Sequence, residues 1–461
     1  MLKYAASPET VGVSSAGLNR FLDALAASSL ELHSVVLLRH GQIAWEMSVS
    51  PYDVRTPHVL FSLSKSFTSA AVGFAVAEGL MAYDERICDI LPDKAPDGAS
   101  ALLKAVTIHD LLCMGSGLSA ASDGIDPEQP DWAKRVLSFP VEHTPGTHFQ
   151  YNSMGTFLCS QAVQRRTGMT VLAYLTPRLF APLGIETPRW DESPQGVSCG
   201  GWGLHLSTLD VAKFGQLLLR DGVWGGTRVL PEGWVDMATS RKIDNSGRGA
   251  HPDWEQGYGY QFWRCRDGAY RGDGMYGQLC WIEPERDAVL AVTAGLLDMG
   301  AEVDLLRGTL LSAIGMPGGD EAEQERLRER TAALTCPVPE CGERPPQRVV
   351  GRYEDGRGHA LEVALEGGVL RLTAEEEGGV QDMRFGPGTL LQGSIRYRGA
   401  EMGCLAAYGW RDGALETVLR VPDAPFTRHA RLRFVGDTLE ETVVGAGFER
   451  EPETRTYHKV R

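Results

Sequence analysis

The chain of 461 residues is longer than one ordinary domain core, which predicts two domains. Its composition, 43% hydrophobic and 23% charged, is typical of globular proteins. The formal net charge of −15 argues against nucleic acid or an anionic membrane as a partner. No apolar run reaches the roughly 18 residues of a membrane-spanning helix, and the first residues lack the pattern of a signal peptide.

The nine cysteines form an odd, scattered set without a C-x-x-C pair, which predicts reduced thiols in a cytoplasmic protein. His109 and Cys113 stand four residues apart on a predicted helix and could share a metal ion. No second pair completes a four-ligand site, so we expect neither a metal nor another cofactor.

Residues 1–317 mix helical and strand patterns, with apolar side chains at helical spacing or in short β-rich runs. The predicted helices are 14–30, Ser62–Gly79, Met154–Thr167 and Thr170–Leu179. The predicted strands are a hairpin within Ser34–Trp45, then Tyr258–Arg264, Gln278–Glu283 and Ala288–Thr293.

The composition changes after residue 317. Residues 318–348 combine a charged stretch with a proline-rich one, which predicts a short helix followed by a linker. Within 349–461, short β-rich runs alternate with glycine turns, a pattern typical of a small antiparallel barrel or sandwich. These runs are Ala360–Leu365, Val369–Thr373, Thr389–Gln392, Leu405–Trp410, Ala414–Val421, Ala430–Val435 and Thr438–Val443.

The stretch Ser62-Leu-Ser-Lys65 carries the clearest chemical signal. Positions i and i+3 share one helix face, so the Lys65 amine can reach the Ser62 hydroxyl. At a helix start, unpaired amides and the helix dipole favour developing negative charge on Ser62. The alternative is a serine N-cap with a lysine that points to solvent, and the neighbouring segments decide between the two.

Those segments resemble the serine β-lactamase and penicillin-binding-protein superfamily, in particular its class C-like serine hydrolases. The resemblance implies an α+β fold with an antiparallel sheet flanked by helices. The C-terminal part is similar to the lipocalin-like antiparallel β-barrel modules of some members. The segments that carry the resemblance, in family order, are Ser62–Lys65, Thr107–Leu118, Pro145–Ser153, Gly200–Gly215 and Tyr270–Gln278.

The resemblance implies that Ser62 is the nucleophile and that Lys65, kept partly neutral by burial, is its base or proton relay. Tyr151 is the second candidate base, because a lysine cation beside it would lower the cost of a phenolate. The family asparagine stands two residues after the tyrosine, where this chain has Ser153. We expect Asn152 to turn outward and Ser153 to bind Lys65 or substrate.

The third family motif, Lys-Thr-Gly or His-x-Gly, corresponds to Gly272-Asp-Gly274. Asp273 would repel a substrate carboxylate, whereas Gly274 allows close backbone approach. The Met275 amide would then join the Ser62 amide as an oxyanion hole. His205 lies on a loop that faces the cleft in relatives and is a further candidate for substrate contact.

The expected activity is a serine hydrolase that forms an acyl-enzyme, most simply a carboxylesterase on small esters. A D-stereospecific amidase or peptidase and a weak class C-like β-lactamase are alternative enzymes. A penicillin-binding-like sensor or scaffold is the non-enzymatic alternative. The expected partner is a small-molecule ester or amide, and a homo-oligomer stays open.

Overall fold

The computed structural model describes residues 2–124, 126–376, 379–397, 400–446 and 453–460. The chain divides into two compact units. Unit 1 comprises Met1–Ser48, Asp53–Ala294 and Asp298–Ala333, and unit 2 comprises Val49–Tyr52, Gly295–Leu297 and Leu334–Arg461. The independent folding of 1–317 and 349–461, joined by 318–348, stays a prediction.

The helices begin where side-chain oxygens can bind the free amides of a first turn. Ser14, Asn152 and Ser207 accept such N–H groups at the starts of three helices. In chain order the helices are α1 (Ser15–Ala27), α2 (Ser64–Ala77), α3 (Ile87–Ile90), α4 (Ala101–Ala105), α5 (Ile108–Leu112), α6 (Trp132–Leu137), α7 (Ser153–Thr167), α8 (Val171–Leu175), α9 (Thr208–Leu219), α10 (Trp234–Thr239), α11 (Met299–Leu305) and α12 (Glu321–Ala332).

Unit 1 contains a seven-stranded sheet of order β1-β3-β2-β12-β11-β10-β9, antiparallel except for the β1–β3 pair. The pairs β4–β6, β5–β6 and β7–β8 lie outside this sheet. The strands are β1 (Lys3–Tyr4), β2 (Leu32–Arg39), β3 (Gln42–Ser48), β4 (His58–Val59), β5 (Arg189–Trp190), β6 (Leu204–Leu206), β7 (Val223–Trp224), β8 (Thr227–Arg228), β9 (Trp263–Arg264), β10 (Tyr270–Gly274), β11 (Gln278–Glu283) and β12 (Ala288–Ala294).

The middle of this sheet is buried on both faces, which explains the near-continuous apolar runs of its strands. Every residue of β11 and β12 is buried, and α9 packs against both of them and against β2. The helix α2 is buried along nearly its whole length and packs against α7, α8 and β10. The start of α2 is thereby fixed beside β10.

Unit 2 contains a ten-stranded sheet of order β16-β15-β14-β13-β22-β21-β20-β19-β18-β17, closed into a barrel by an additional β16–β18 pairing. The strands are β13 (Gly351–Glu354), β14 (Ala360–Glu366), β15 (Val369–Glu376), β16 (Gly379–Pro387), β17 (Leu391–Tyr397), β18 (Ala400–Arg411), β19 (Ala414–Arg420), β20 (Thr427–Val435), β21 (Thr438–Ala446) and β22 (Glu453–Lys459). The predicted fold class, a helix-flanked antiparallel sheet with a C-terminal β-barrel, is confirmed.

Several predicted elements differ from the structure in their bounds, and two of these differences have a clear cause. The helix predicted over Ser62–Gly79 starts at Ser64, because a 3-10 turn over Phe61–Leu63 precedes it. The strand predicted over Tyr258–Arg264 is reduced to β9, since Gln261 has a φ of 66° and turns the chain just before it. None of the nine cysteines, all of which lie within the described ranges, is joined in a disulfide. None of the described helices is long and apolar enough to span a membrane.

We predict that Gly73→Ala destabilises unit 1 by about 1–3 kcal/mol, since overpacking a filled core forces neighbouring groups to move. A Cβ atom on Gly73, in the middle of α2, would overlap the indole of Trp234, which is itself buried. Gly308→Ala is the matched control because a Cβ there meets nothing within 4 Å. Urea unfolding of both variants and the wild type measures the difference, and equal stabilities would contradict the packing described.

Candidate active site

Ser62 lies in the turn that leads into α2. Phe61, just before it, has a φ of 47°, a left-handed conformation that is costly for a residue with a side chain. Ser62 is half-buried, and the helix starts two residues later. Ser62 therefore lies in the 3-10 turn just before a buried helix, and its role as the nucleophile stays a prediction.

The Lys65 amine is buried and held by three oxygen atoms. Its Nζ lies 2.8 Å from Ser62 Oγ, 3.1 Å from Ser153 Oγ and 2.7 Å from the Gly201 carbonyl oxygen. Burial lowers the pKa of Lys65 to about 7, although the charges of Asp123 and Asp273 oppose the change. A substantial neutral fraction is thus available at neutral pH, and the alternative of a solvent-facing lysine is wrong.

The Tyr151 ring forms one wall beside this pair. Lys65 Nζ lies 4.7 Å from its ring centroid, and the Trp263 ring stacks on it at 5.5 Å between centroids. Burial raises the pKa of Tyr151 well above its ordinary value, and Asp273 adds to the rise, whereas a side-chain hydrogen bond with Ser62 opposes it. Burial therefore disfavours the phenolate form that Tyr151 would need to act as a base.

Asn152 does not turn outward. It is buried, its Oδ1 accepts the Gly155 amide at 2.7 Å, and its Nδ2 donates to Ser122 Oγ at 2.6 Å. Both ends of the amide group therefore hold the start of α7 in place. A substrate contact by Asn152 would require breaking this helix cap.

Asp123 is a site residue that sequence reasoning missed. Its Oδ1 accepts the backbone amides of Ser153 and Met154 at 2.6 and 3.0 Å, and its charge raises the pKa of Lys65. A carboxylate at a helix start is a favourable arrangement. The sequence signal was weak, since the residue lies in a loop 30 positions before Ser153.

The turn after β10 approaches the nucleophile closely. A Cβ atom on Gly274 would overlap the Leu60 carbonyl oxygen, and β10 packs against the Phe61–Leu63 turn. The Tyr276 ring contacts the Phe61 ring edge-on at 5.3 Å between centroids. Only glycine allows this approach at position 274, and the place of the next residue, Met275, in the oxyanion hole stays a prediction.

Asp273 is buried and paired with Arg271. Its Oδ2 accepts Arg271 Nε at 3.2 Å and Trp254 Nε1 at 2.8 Å. The Arg271 guanidinium is fully buried and lies 4.3 Å from the Trp254 ring centroid. The arginine therefore neutralises Asp273 and is itself enclosed.

His205 lies on β6, opposite Val59 in the β4–β6 pair. Arg189 Nη2 lies 3.0 Å from its Nδ1, and Asp191 Oδ1 lies 3.2 Å from its Nε2. Both ring nitrogens thus have protein partners, and a substrate would have to displace one of them. His205 as a substrate contact stays a prediction.

The described residues contain no group of three or more His, Cys, Asp or Glu side chains that could hold a metal ion. His109, which we considered as a ligand, instead lies 2.7 Å from the Tyr260 hydroxyl through its Nδ1. Burial raises the pKa of its proposed partner, Cys113, to about 12.

Comparison with known proteins agrees with this geometry. The family model "Beta-lactamase" matches residues 21–308, more than half of the chain. The chain is 27% identical over 309 residues to a 6-aminohexanoate-dimer hydrolase of Paenarthrobacter ureafaciens, covering 58% of this chain and 76% of that protein.

Two relatives that match over shorter stretches are named for other activities. A lovastatin esterase of Penicillium rubens is 27% identical over 150 residues, 27% of this chain and 37% of that protein. A D-aminopeptidase of Brucella anthropi is 28% identical over 171 residues, 33% of this chain and 30% of that protein.

Among solved structures, the octameric penicillin-binding protein homologue from Pyrococcus abyssi resembles the whole chain. It has a TM-score of 0.53 at 17% identity, over 96% of this chain and 99% of that one. At this identity the likeness concerns the fold alone. With the family model spanning both the Ser62–Lys65 pair and the β10 turn, the chain belongs to the beta-lactamase family and is a serine hydrolase.

Proposed function

We propose that this serine hydrolase is a carboxylesterase acting on small esters through an acyl-enzyme on Ser62. The observation that carries the proposal is the 2.8 Å contact between the Ser62 hydroxyl and a buried Lys65 amine. A base with a pKa of about 7 is well matched to proton transfer at neutral pH. The proposed reaction needs no cofactor.

In the acylation step, neutral Lys65 accepts the hydroxyl proton while Ser62 Oγ forms a bond to the ester carbonyl carbon. The carbonyl oxygen becomes an oxyanion, which we assign to the backbone amides of Ser62 and Met275. Collapse of this intermediate breaks the bond to the alcohol oxygen, which leaves with the proton held by Lys65. In deacylation, water gives a proton to Lys65 as its oxygen bonds to the acyl carbon. Collapse of this second intermediate breaks the bond to Ser62 Oγ, which takes the proton back from Lys65, and releases the carboxylic acid.

Tyr151 serves this cycle as a neutral hydroxyl. Burial keeps its proton in place, and its side-chain hydrogen bond with Ser62 puts the hydroxyl next to the reacting oxygen. We propose that it passes the proton from Lys65 to the leaving group. Ser153 Oγ lies 3.1 Å from Lys65 Nζ and orients the amine toward the Ser62 and Tyr151 hydroxyls.

The substrate assignment rests on what surrounds β10. The family position that offers a cation or hydroxyl to a substrate carboxylate holds Asp273, and its partner Arg271 is fully buried. A substrate without a carboxylate beside the reacting carbonyl suits this site better than a β-lactam. The named esterase among the relatives supports the same choice.

Amide hydrolysis is the second candidate, because two relatives are named as a 6-aminohexanoate-dimer hydrolase and a D-aminopeptidase. An amine leaving group must be protonated as the bond breaks, and the Lys65–Tyr151 pair could supply that proton. We favour the ester because alcohols leave more readily than amines from the same intermediate.

We further propose that residues 349–461 fold as a β-barrel module without chemistry of its own, attached through 318–348 to the hydrolase of residues 1–317. The solved structure that resembles 96% of the chain has a comparable extent, which supports a module built into the fold.

We predict that Ser62→Ala lowers ester hydrolysis by roughly 10⁴-fold or more, since an activated nucleophile is lost. Ser69→Ala is the matched control, because the Ser69 hydroxyl lies on the same helix and has no hydrogen-bond partner among the described residues. Intact-mass spectrometry with a slowly turned-over aryl ester should detect an acyl adduct in the wild type and control only. An adduct on the Ser62 variant would refute the assignment.

Asp123→Asn should move the rising limb of the pH–kcat/KM profile to lower pH. The carboxylate raises the pKa of Lys65, so its removal lets the neutral base form at lower pH. Asparagine keeps an acceptor for the Ser153 amide. Asp126→Asn is the control and should leave the limb unmoved, because Asp126 is exposed and its side chain accepts only the Glu128 amide among the described residues. A shift to higher pH would contradict the role of Lys65 as base.

The third prediction concerns substrate preference, measured as kcat/KM on one preparation. A short-chain aryl ester should be hydrolysed faster than a D-amino-acid anilide, and the anilide faster than a cephalosporin. A cephalosporin value above that of the ester would overturn the reading of Asp273. An anilide value above that of the ester would favour the amidase candidate.

A further inference from the structure

Glu302 is a buried carboxyl group that the mechanism does not use. It lies on α11 with no exposed surface, and neither of its carboxyl oxygens has a hydrogen-bond partner among the described residues. Buried acidic groups are rare without a partner, because ionisation in such a place is costly. Its position therefore needs an explanation.

The carboxyl lies directly against the turn that follows β10. A Cβ atom on Gly277 would stand 2.8 Å from Glu302 Oε1 and 2.9 Å from Oε2. Gly277 has a φ of 91°, and its amide closes the turn onto the Gly274 carbonyl oxygen at 3.3 Å. The acid thus fills the space that any side chain at position 277 would need.

The turn that follows β10 is also held by Gln278, a buried residue at the start of β11. Gln278 Nε2 donates to the Met275 carbonyl oxygen at 3.2 Å and to the Ala294 carbonyl oxygen at 2.9 Å. The turn is consequently fixed by a neutral amide on one side and by Glu302 on the other. Between them lies Met275, whose amide we assign to the oxyanion.

The charges around Glu302 favour its neutral form. Burial raises the pKa of Glu302 to about 8, and Asp273 on β10 adds to the rise, while Arg271 opposes it. On its own helix, Asp304 pairs with His251, and Asp298 at the helix start caps the Ala301 amide. Arg271 is already paired with Asp273, so it offers Glu302 little compensation.

We infer that Glu302 is a positioning residue of the hydrolase, supporting in its protonated form the turn that carries the oxyanion-binding Met275 amide. This inference rests on the proposed function. When Glu302 loses its proton, an unpaired negative charge appears in a low-dielectric region beside the developing oxyanion. The transition state then loses stabilisation, and turnover falls with rising pH.

The test is the pH–kcat profile of three proteins on one aryl ester. The wild type should show a bell-shaped profile, rising as Lys65 loses its proton and falling as Glu302 does. Glu302→Gln, which cannot ionise, should lose the falling limb and turn over several-fold faster than the wild type at pH 9.5. Asp304→Asn, an exposed carboxylate on the same helix, should keep the falling limb.

Glu302→Met provides a second variant that fills the space without a titrating group, and it should behave like the glutamine variant, with KM unchanged in both. An unaltered falling limb in either variant would overturn the inference. Failure of the wild type to acylate Ser62 would instead refute the proposed function, since the adduct is measured separately by intact mass. A uniform loss of kcat at every pH, with the limb retained, would show a packing role only.

Discussion

The burial of one amine governs the site. Lys65 is shielded from water at the start of α2, and its hydrogen-bond partners among the described residues are Ser62, Ser153 and the Gly201 carbonyl oxygen. None of these groups carries a negative charge, so the cost of desolvating an ammonium ion is not repaid, and the amine loses its proton near neutrality. The surrounding helices exclude water from the Lys65 amine and hold it within hydrogen-bonding distance of the Ser62 hydroxyl.

A second constraint is the close approach of two backbone segments. The nucleophile turn and the turn after β10 meet where Gly274 lies against the Leu60 carbonyl oxygen. The strained φ values of Phe61 and Tyr276, whose rings touch, flank this contact. Left-handed residues with side chains persist only where the surroundings hold them, and here the contact between the two rings accompanies both strained conformations. Pairing of Asp273 with Arg271, and the buried Glu302 beneath Gly277, keep the second turn in place.

Much of this arrangement followed from local sequence. The i, i+3 spacing of Ser62 and Lys65 predicts their contact, and the apolar runs of β11 and β12 predict a buried sheet. The orientation of Asn152 was harder to predict, because an asparagine that caps a helix and one that faces outward have the same sequence pattern. The contributions of Asp123, Gly201 and Glu302 come from residues 58 to 237 positions away from Lys65 in sequence, and no local periodicity records such contacts. In the barrel, β16 was not predicted because Met383 and Phe385 are its only large apolar side chains that are buried. The strand β22 was not predicted because most of its residues are polar.

The proposed mechanism depends on Lys65 acting as a neutral base in the resting enzyme. Nuclear magnetic resonance of protein carrying ¹³C-labelled lysine, with Lys65→Met used to assign the signal, measures its pKa directly through the Cε shift. A midpoint near pH 7 is expected for Lys65. A midpoint close to 10.5, the ordinary value for lysine, would contradict it.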